Sequence, residues 1–152
     1  MAAGKWKVYD LTKLAIANGE VDFNADTFKM NLYLSTSNCN TLSGVTQLSD
    51  LTNQVATAFG YTQNDKIVTI STSQSSGTTT IDETSNPSWT ASGGSITCRY
   101  AVIYDDSHPQ DLPICVCLLD TTPADVIVTS GNTLTININA SGLFTISGAN
   151  SD

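Results

Sequence analysis

The stretch ITCRYAVIYD, Ile96–Asp105, and the stretch ICVCLLD, Ile114–Asp120, decide the fold of this chain. Both are almost uniformly apolar or aromatic and lack the regular alternation of apolar and polar residues that marks a half-buried strand. Such runs are typical of central strands that are covered on both faces. The connection between them, Ser107–Pro113, contains two prolines and has the composition of a loop. The two runs therefore predict neighbouring antiparallel strands in the middle of a sheet.

Shorter elements surround this pair of strands. Thr27–Thr36 alternates between apolar and polar residues, which predicts a half-buried strand. Tyr9–Asn18 has a partly helical spacing of apolar residues with Gly19 placed to end it, and Leu48–Leu51 suits a short helical turn before a short strand. The remaining predicted strands are Lys66–Ser73, Thr78–Asp82, a short strand at Trp89, Val126–Thr129, Leu134–Ala140 and Leu143–Ser147, with a hairpin connection at Gln74–Gly77.

About nine short strands at regular spacing, with turn signals between them, predict a mostly all-β fold. We expect an antiparallel β-sandwich or jelly-roll-like barrel with one or two short helices. A length of 152 residues suits a single β domain over residues 1–152.

The composition is low in charge and rich in hydroxyls. Charged residues make up 13% of the chain, against about 25% in an average domain. Ser and Thr together supply roughly a quarter of the residues, and Thr favours pleated, half-buried surfaces. This pattern is typical of virus particle proteins and extracellular adhesins, and equally of any β protein with polar loops.

The charge distribution argues against two classes of partner. The net charge is −8 with six basic residues, and after Lys66 only Arg99 remains. Nucleic-acid binding needs Lys and Arg clustered on one face, so we expect no nucleic-acid partner. A negative surface is repelled by anionic membranes, and no run approaches the ~20 apolar residues of a membrane span, so we expect no membrane partner. The first twenty residues lack the apolar core of a signal peptide, so we expect synthesis in the cytoplasm.

The four cysteines, Cys39, Cys98, Cys115 and Cys117, form no CxxC pair, and three of them lie in apolar runs. This placement favours reduced, buried thiols that pack as small hydrophobes. A metal or redox role is the alternative, although His108 is the only histidine that is available to complete a ligand set.

Motifs that carry chemistry are scarce, and we expect neither an enzyme nor a cofactor. The one polar cluster is YDDSHPQD, in which Asp105, Asp106, His108 and Asp111 suit either a divalent ion or a base, or simply a solvated loop built from turn-forming residues.

Four aromatic residues leave a second question open. Trp6, Trp89, Tyr100 and Tyr104 suit either a platform on which a sugar ring stacks or ordinary core packing.

Three stretches occur together in a recognisable order. They are LAIANGEVDFNADTFKMNLYLS at Leu14–Ser35, TNQVATAFGYTQND at Thr52–Asp65 and WTASGGSITCRYAVIYDD at Trp89–Asp106. In combination they resemble a family of small tailed-bacteriophage virion proteins, some of which look like capsid decoration or cement proteins. The W-T…T-x-R-Y-A-V-I-Y element is the most specific part. The chain departs from the family pattern in its four cysteines and in its loops at Ser37–Gly44 and Ser107–Pro113.

The resemblance implies a structural protein of the virion, made in the bacterial host cytoplasm and placed on the capsid surface. It implies the major capsid protein as partner and self-association, as a trimer around a local symmetry axis. A tail, neck or fibre component, including an adhesin-like carbohydrate-binding module, is the alternative. For the partner contact we single out Lys5, Trp6, Lys7 and Tyr9, the densest basic and aromatic patch in an acidic chain. These residues equally suit the start of the first strand.

Overall fold

The computed structural model describes residues 3–122 and 124–148. It is mostly β, with 38% strand and 8% helix, and its antiparallel sheets pack in a sandwich-like arrangement. The predicted fold class is therefore confirmed. The elements are β1 Lys7–Val8, α1 Asp10–Asn18, β2 Phe28–Tyr33, a 3-10 turn at Leu48–Asp50, β3 Lys66–Val68, β4 Ile70–Ser75, β5 Thr78–Glu83, β6 Ser88–Thr90, β7 Ile96–Cys98, β8 Tyr100–Asp105, β9 Leu112–Leu118, β10 Val126–Val128, β11 Thr133–Thr135 and β12 Phe144–Ser147.

A five-stranded antiparallel sheet in the order β1-β9-β8-β2-β3 forms the centre of the fold. The predicted pairing of the two apolar runs is confirmed, because Val102 of β8 lies opposite Val116 of β9. The register shifts between Ile103 and Tyr104, where the two strands pass an irregularity. β9, β8 and β2 are the inner strands of this sheet, and β8 and β9 are buried along almost their whole length, as their sequences without a wet face predicted.

Both faces of this sheet are covered. On one face Ala101, Ile103 and Cys115 join the larger apolar core, which includes residues of the smaller sheets such as Trp89. On the other face lies a second cluster. Its buried members are Tyr9, Tyr33, Cys39, Val45, Leu51, Val102 and Val116. The loop after β2 therefore closes the second face.

Seven further strands form three small antiparallel sheets. β7 pairs with β10, β6 pairs with β11, and the three-stranded sheet has the order β12-β5-β4. The predicted hairpin at Gln74–Gly77 is confirmed as the turn between β4 and β5. The predicted helix is confirmed as well, with Gly19 in the left-handed conformation at φ 75° as its C-cap. Within the described ranges no helix is long and apolar enough to cross a membrane.

The prediction of one strand over Ile96–Asp105 was wrong in one respect. The run divides at Arg99 into β7 and β8, which belong to different sheets. Arg99 donates its backbone N–H to the carbonyl of Tyr33, which already pairs with Tyr100, and its Nε donates to Asp125 Oδ1 at 2.8 Å. Arg99 is thus an extra residue between β7 and β8, and the chain passes there from one sheet to the next, as it does at the corners of sandwiches.

The strand predicted at Thr27–Thr36 is confirmed as β2, but its predicted half-burial was wrong. β2 is buried on both faces, including Asn31 and Tyr33, which the alternation placed in water. Tyr33 packs into the second cluster, and Asn31 exchanges hydrogen bonds with Asn64. A buried amide is tolerated there because its partner satisfies it.

Two other predicted strands differ in extent. The strand predicted at Lys66–Ser73 divides at Thr69, which donates its backbone N–H to Ser85 Oγ. As a result, β3 and β4 belong to different sheets. Leu134–Ala140 shortens to Thr133–Thr135, although Ile136 still donates its N–H to the carbonyl of Pro87. The short strand expected after Leu48–Leu51 is reduced to a single bridge between Gln54 and Tyr33.

Candidate functional site

The four N-terminal residues predicted as a partner contact differ in how deeply they are buried. Tyr9 is fully buried, and its hydroxyl donates to the carbonyl of Cys39 at 2.6 Å. Burial raises the pKa of Tyr9 well above its ordinary value. Tyr9 is therefore a core residue, and its assignment to the partner contact was wrong.

The other three residues reach the surface. Lys5 and Lys7 are exposed, and Lys7 Nζ donates to Asn40 Oδ1 at 3.2 Å. Trp6 is half-buried and packs against the larger core. The backbone around them is anchored, because Gly4 donates its N–H to the carbonyl of Leu118 at 2.7 Å and β1 pairs with β9. The segment is thus a hydrogen-bonded edge of the central sheet.

A cleft of about 970 Å³ opens beside this edge. Its walls are the N-terminal segment on one side and the chain from Leu134 to Thr145 on the other. Trp6 and Phe144 contribute aromatic surface, while Asn137 and Asn139 contribute carboxamides. Half-buried aromatic rings beside amide groups can contact both the apolar face and the hydroxyls of a polar organic ligand.

The electrostatics of the cleft differ from those of the whole chain. Lys5 is among the residues that line it, and the described lining residues include no Asp or Glu. The net charge of the chain is −8, so the cleft is a neutral to weakly basic site on an acidic protein. Its lining suits an uncharged ligand, because the net negative charge of the chain repels anions.

The thiol of Cys117 lines the same cleft without being reactive. Its Sγ donates to the carbonyl of Gly4 at 3.3 Å. Burial raises the pKa of Cys117 to about 11, so the thiol stays protonated near neutral pH. Because the thiolate is the nucleophile, Cys117 supplies packing and not catalysis.

Sequence reasoning missed most of this cleft. The run from Ile136 to Asn139 alternates Ile and Asn, which predicted a regular strand with one wet face. The chain instead leaves the β6–β11 sheet after Thr135, and Asn137 and Asn139 come to line a concavity. The only signal in the sequence was the pair of carboxamides, which is too common to mark a site.

The polar cluster of YDDSHPQD turns out to be a loop. Asp105 Oδ1 accepts the backbone N–H groups of Ser107 and His108, at 2.9 and 3.2 Å. Asp106 pairs with Lys29 at 2.7 Å, and His108 Nδ1 accepts the N–H of Gln110. In the part of the chain that the structure describes, no group of His, Cys, Asp or Glu has the geometry of a metal site. These side chains build the turn, which fits the loop interpretation, except that Asp105 at the end of β8 is buried and not solvated.

The aromatic residues considered for a sugar platform do not form one together. Trp89 and Tyr104 are fully buried, while Tyr100 packs at the border of the second cluster. Only Trp6 reaches a cleft, where Phe144 is the other aromatic residue of the lining.

The three stretches that carry the family resemblance meet in one buried framework. Tyr61 from the middle stretch accepts the N–H of Leu32 from the first stretch at 3.0 Å. Its ring packs on Trp89 from the third stretch, with centroids 5.8 Å apart. Trp89 Nε1 in turn donates to Asp65 Oδ1 at 3.4 Å. Contacts between the three stretches are therefore part of the packing that holds the fold together.

The four cysteines are free and buried, as their placement predicted. Cys98 has its pKa raised to about 12 by burial and by the nearby carboxylate of Asp125. Burial raises the pKa of Cys39 to about 11. Thiols in this state are structural and chemically inert.

Comparison with known proteins adds no relative: no family model, no curated protein and no solved structure matches the chain.

Proposed function

We propose that this chain is a non-enzymatic structural protein of a bacteriophage particle, a decoration protein that binds the outer capsid shell and stabilises it. The observation that carries the proposal is the convergence of the three virion-like stretches in the framework of Tyr61, Trp89 and Leu32. Such packing contacts explain how the three stretches can resemble those of the virion family although they contain no catalytic site.

A decoration protein works through contact area. Packaged genome presses outward on the shell, and a protein that bridges neighbouring capsid subunits opposes their separation. Modest interfaces suffice because many copies act at once and each contacts more than one subunit. A hydroxyl-rich β domain with rigid sheets can make such contacts at little cost in conformational entropy.

The proposed contact with the major capsid protein centres on Lys5, Trp6 and Lys7. Lys5 and Lys7 are exposed at the hydrogen-bonded edge of the central sheet, and Trp6 between them is half-buried. Aromatic residues are enriched in the cores of interfaces, and lysines at the polar rim steer an acidic chain toward an acidic shell surface. Self-association belongs to the same proposal.

Cosedimentation with capsid shells that lack the protein tests this contact. We expect the double variant Lys5→Glu/Lys7→Glu to bind at least tenfold more weakly than the original chain, because each substitution reverses a charge at the patch. Lys13→Glu/Lys66→Glu, which reverses two charges elsewhere on the chain, is the matched control and should bind normally. Equal binding by both variants would place the contact elsewhere on the surface.

The cleft favours a second candidate function, a carbohydrate-binding module of a tail, neck or fibre. Trp6 and Phe144 are the aromatic residues of its lining, and Asn137 and Asn139 are carboxamide residues, a combination that suits the apolar face and the hydroxyls of a sugar. Titration with bacterial surface oligosaccharides, followed by calorimetry, tests it. Binding that is lost in Asn137→Ala but kept in Asn18→Ala, an exposed amide on α1, would favour this function over decoration.

A further inference from the structure

The strand β4 has an open edge that stands out among the edges of the fold. Eight of the described strands have a neighbour on one side only, and β4, with six residues, is the longest of them. Five of its six residues are exposed. On the far side of the same sheet, β12 is flanked by α1 residues Lys13 and Ile16 across a shallow groove, so β4 is the uncovered side.

Proteins usually protect such edges. Short strands, charged residues, prolines and bulges all discourage the unpaired backbone from pairing with another chain. β4 has none of these, because its sequence is ISTSQS and its pairing with β5 is regular along its whole length. β3, by comparison, is an edge of three residues that begins with Lys66.

The turn between β4 and β5 fixes which backbone groups point outward. Ser76 and Gly77 both have positive φ, at 49° and 78°, as in the two-residue hairpin turns in which the flanking residues form a hydrogen-bonded pair. Hydrogen-bonded pairs then alternate along β4. The same alternation holds at the other end of the hairpin, where Thr84 donates its N–H to the carbonyl of Thr69. The N–H and C=O groups of Ile70, Thr72 and Gln74 therefore point away from β5.

We propose that this edge pairs with the β4 edge of a second copy of the chain, antiparallel and across a two-fold axis at Thr72. In that register Thr72 lies opposite Thr72 of the second copy, and Ile70 lies opposite Gln74. Each of these three pairs exchanges two backbone hydrogen bonds, and the two three-stranded sheets join into one of six strands.

The absence of charge at this edge and its self-complementary sequence favour a second copy as the occupant. Two chains with a net charge of −8 repel each other, so a contact between them needs a surface without ionisable groups. The sequence from Ile67 to Ile81 contains no charged residue. The pairing places Thr opposite Thr and Ser opposite Ser, and such hydroxyl pairs are favourable across strands.

The symmetry follows from the geometry. A strand that pairs with its own copy makes an isologous contact and closes as a dimer, whereas the trimer implied by the family resemblance needs a heterologous contact. The proposal concerns the isolated chain, so its failure leaves the virion proposal untouched.

The mass of the purified protein in solution, measured by light scattering, tests the proposal. We expect the mass of two 16.1-kDa chains, and we expect Thr72→Lys to halve it, because the substitution sets two ammonium groups directly opposite each other. Thr62→Lys, an exposed threonine on a loop, is the matched control and should stay dimeric. A monomeric, trimeric or polymeric original chain, or a dimeric Thr72→Lys variant, would overturn the proposal.

A second variant fixes the register. Residues opposite each other in a hydrogen-bonded pair have Cα atoms about 5.5 Å apart, which is within the range for a disulfide. The four native cysteines are buried, so a new surface thiol reports alone. We expect Thr72→Cys to form a covalent dimer on mild oxidation and Thr62→Cys to form at least tenfold less; equal yields would contradict the two-fold axis at Thr72.

Discussion

The indole of Trp89 packs on the phenol ring of Tyr61, with the ring centroids 5.8 Å apart and the planes inclined at 47°. Trp89 lies on β6. Tyr61 lies on the loop before β3, and this loop runs beside the part of β2 that β3 does not pair with. This contact joins a small sheet to the central sheet through a loop. It makes the loop part of the core, because Tyr61 is almost fully buried.

Removal of one hydroxyl should measure how much this loop contributes. In Tyr61→Phe the N–H of Leu32, a buried residue in β2, loses its acceptor. We expect the free energy of unfolding to fall by about 1–3 kcal/mol, the cost of an unsatisfied buried donor. Urea denaturation of the variant checks this, with Tyr100→Phe as control for loss of a half-buried hydroxyl. Equal stability of Tyr61→Phe and the original chain would show that the loop does not hold β2.

The two-sided burial of the central sheet makes a second prediction. Ile103 is fully buried in the larger core, whereas Ile127 on β10 is 61% exposed. We expect Ile103→Ala to lower the free energy of unfolding by about 2–5 kcal/mol through lost contacts and a residual cavity. The same substitution at Ile127 should change it by no more than about 0.5 kcal/mol. Thermal or chemical unfolding curves of the two variants would contradict the assigned core if their losses were similar.

The sequence predicted the centre of the fold better than its borders. The apolar runs at β8 and β9 predicted their own pairing, because uninterrupted hydrophobicity is a local signal of burial on both faces. The corner at Arg99 left no local signal, since its cause is the carboxylate of Asp125 and the carbonyl of Tyr33, both distant in sequence. The burial of Asn31 could not be predicted for the same reason, because its partner Asn64 lies on the distant loop before β3.

The candidate site was predicted less well than the fold. Lys5, Trp6 and Lys7 do lie at the surface. Tyr9 is buried, because the loop around Cys39 packs over it. Aromatic residues suit cores and interfaces equally, so composition alone does not separate Trp6 from Tyr9. The cleft arises where two segments at opposite ends of the sequence meet, which no pattern within either segment reveals.

The state of the cysteines provides a third prediction. All four thiols are free and buried, and burial raises the pKa of Cys115 well above its ordinary value. We expect no reaction with a thiol-specific reagent at pH 7 in the folded protein, because neither access nor thiolate is available. After unfolding without reductant, all four should react, as counted by mass spectrometry. A missing pair of labels would reveal a disulfide and contradict this assignment.

The buried carboxyl of Asp105 makes stability depend on pH. Burial, with the nearby Asp26 carboxylate adding to it, raises the pKa of Asp105 from 3.8 to about 6. A raised folded pKa means that its contribution is fully present below pH 3.8 and is lost as the pH rises through about 6. Asp105→Asn keeps an acceptor for the N–H groups of Ser107 and His108 but does not titrate.

We therefore expect the stability of Asp105→Asn relative to the original chain to rise between pH 4 and pH 7. Chemical denaturation at a series of pH values measures this difference. Asp10→Asn, which removes an exposed carboxylate from the start of α1, controls for the loss of one negative charge. A difference between Asp105→Asn and the original chain that stays constant from pH 4 to pH 7 would show that Asp105 does not titrate in this window.

The location of the protein in intact particles tests the proposed function most directly. Particles produced by the genome that encodes this chain can be purified, labelled with a gold-conjugated antibody against the chain and imaged by electron microscopy. We expect label over the outer surface of the heads, in many copies per particle. Label confined to tail tips, or particles that carry no label, would contradict the capsid assignment.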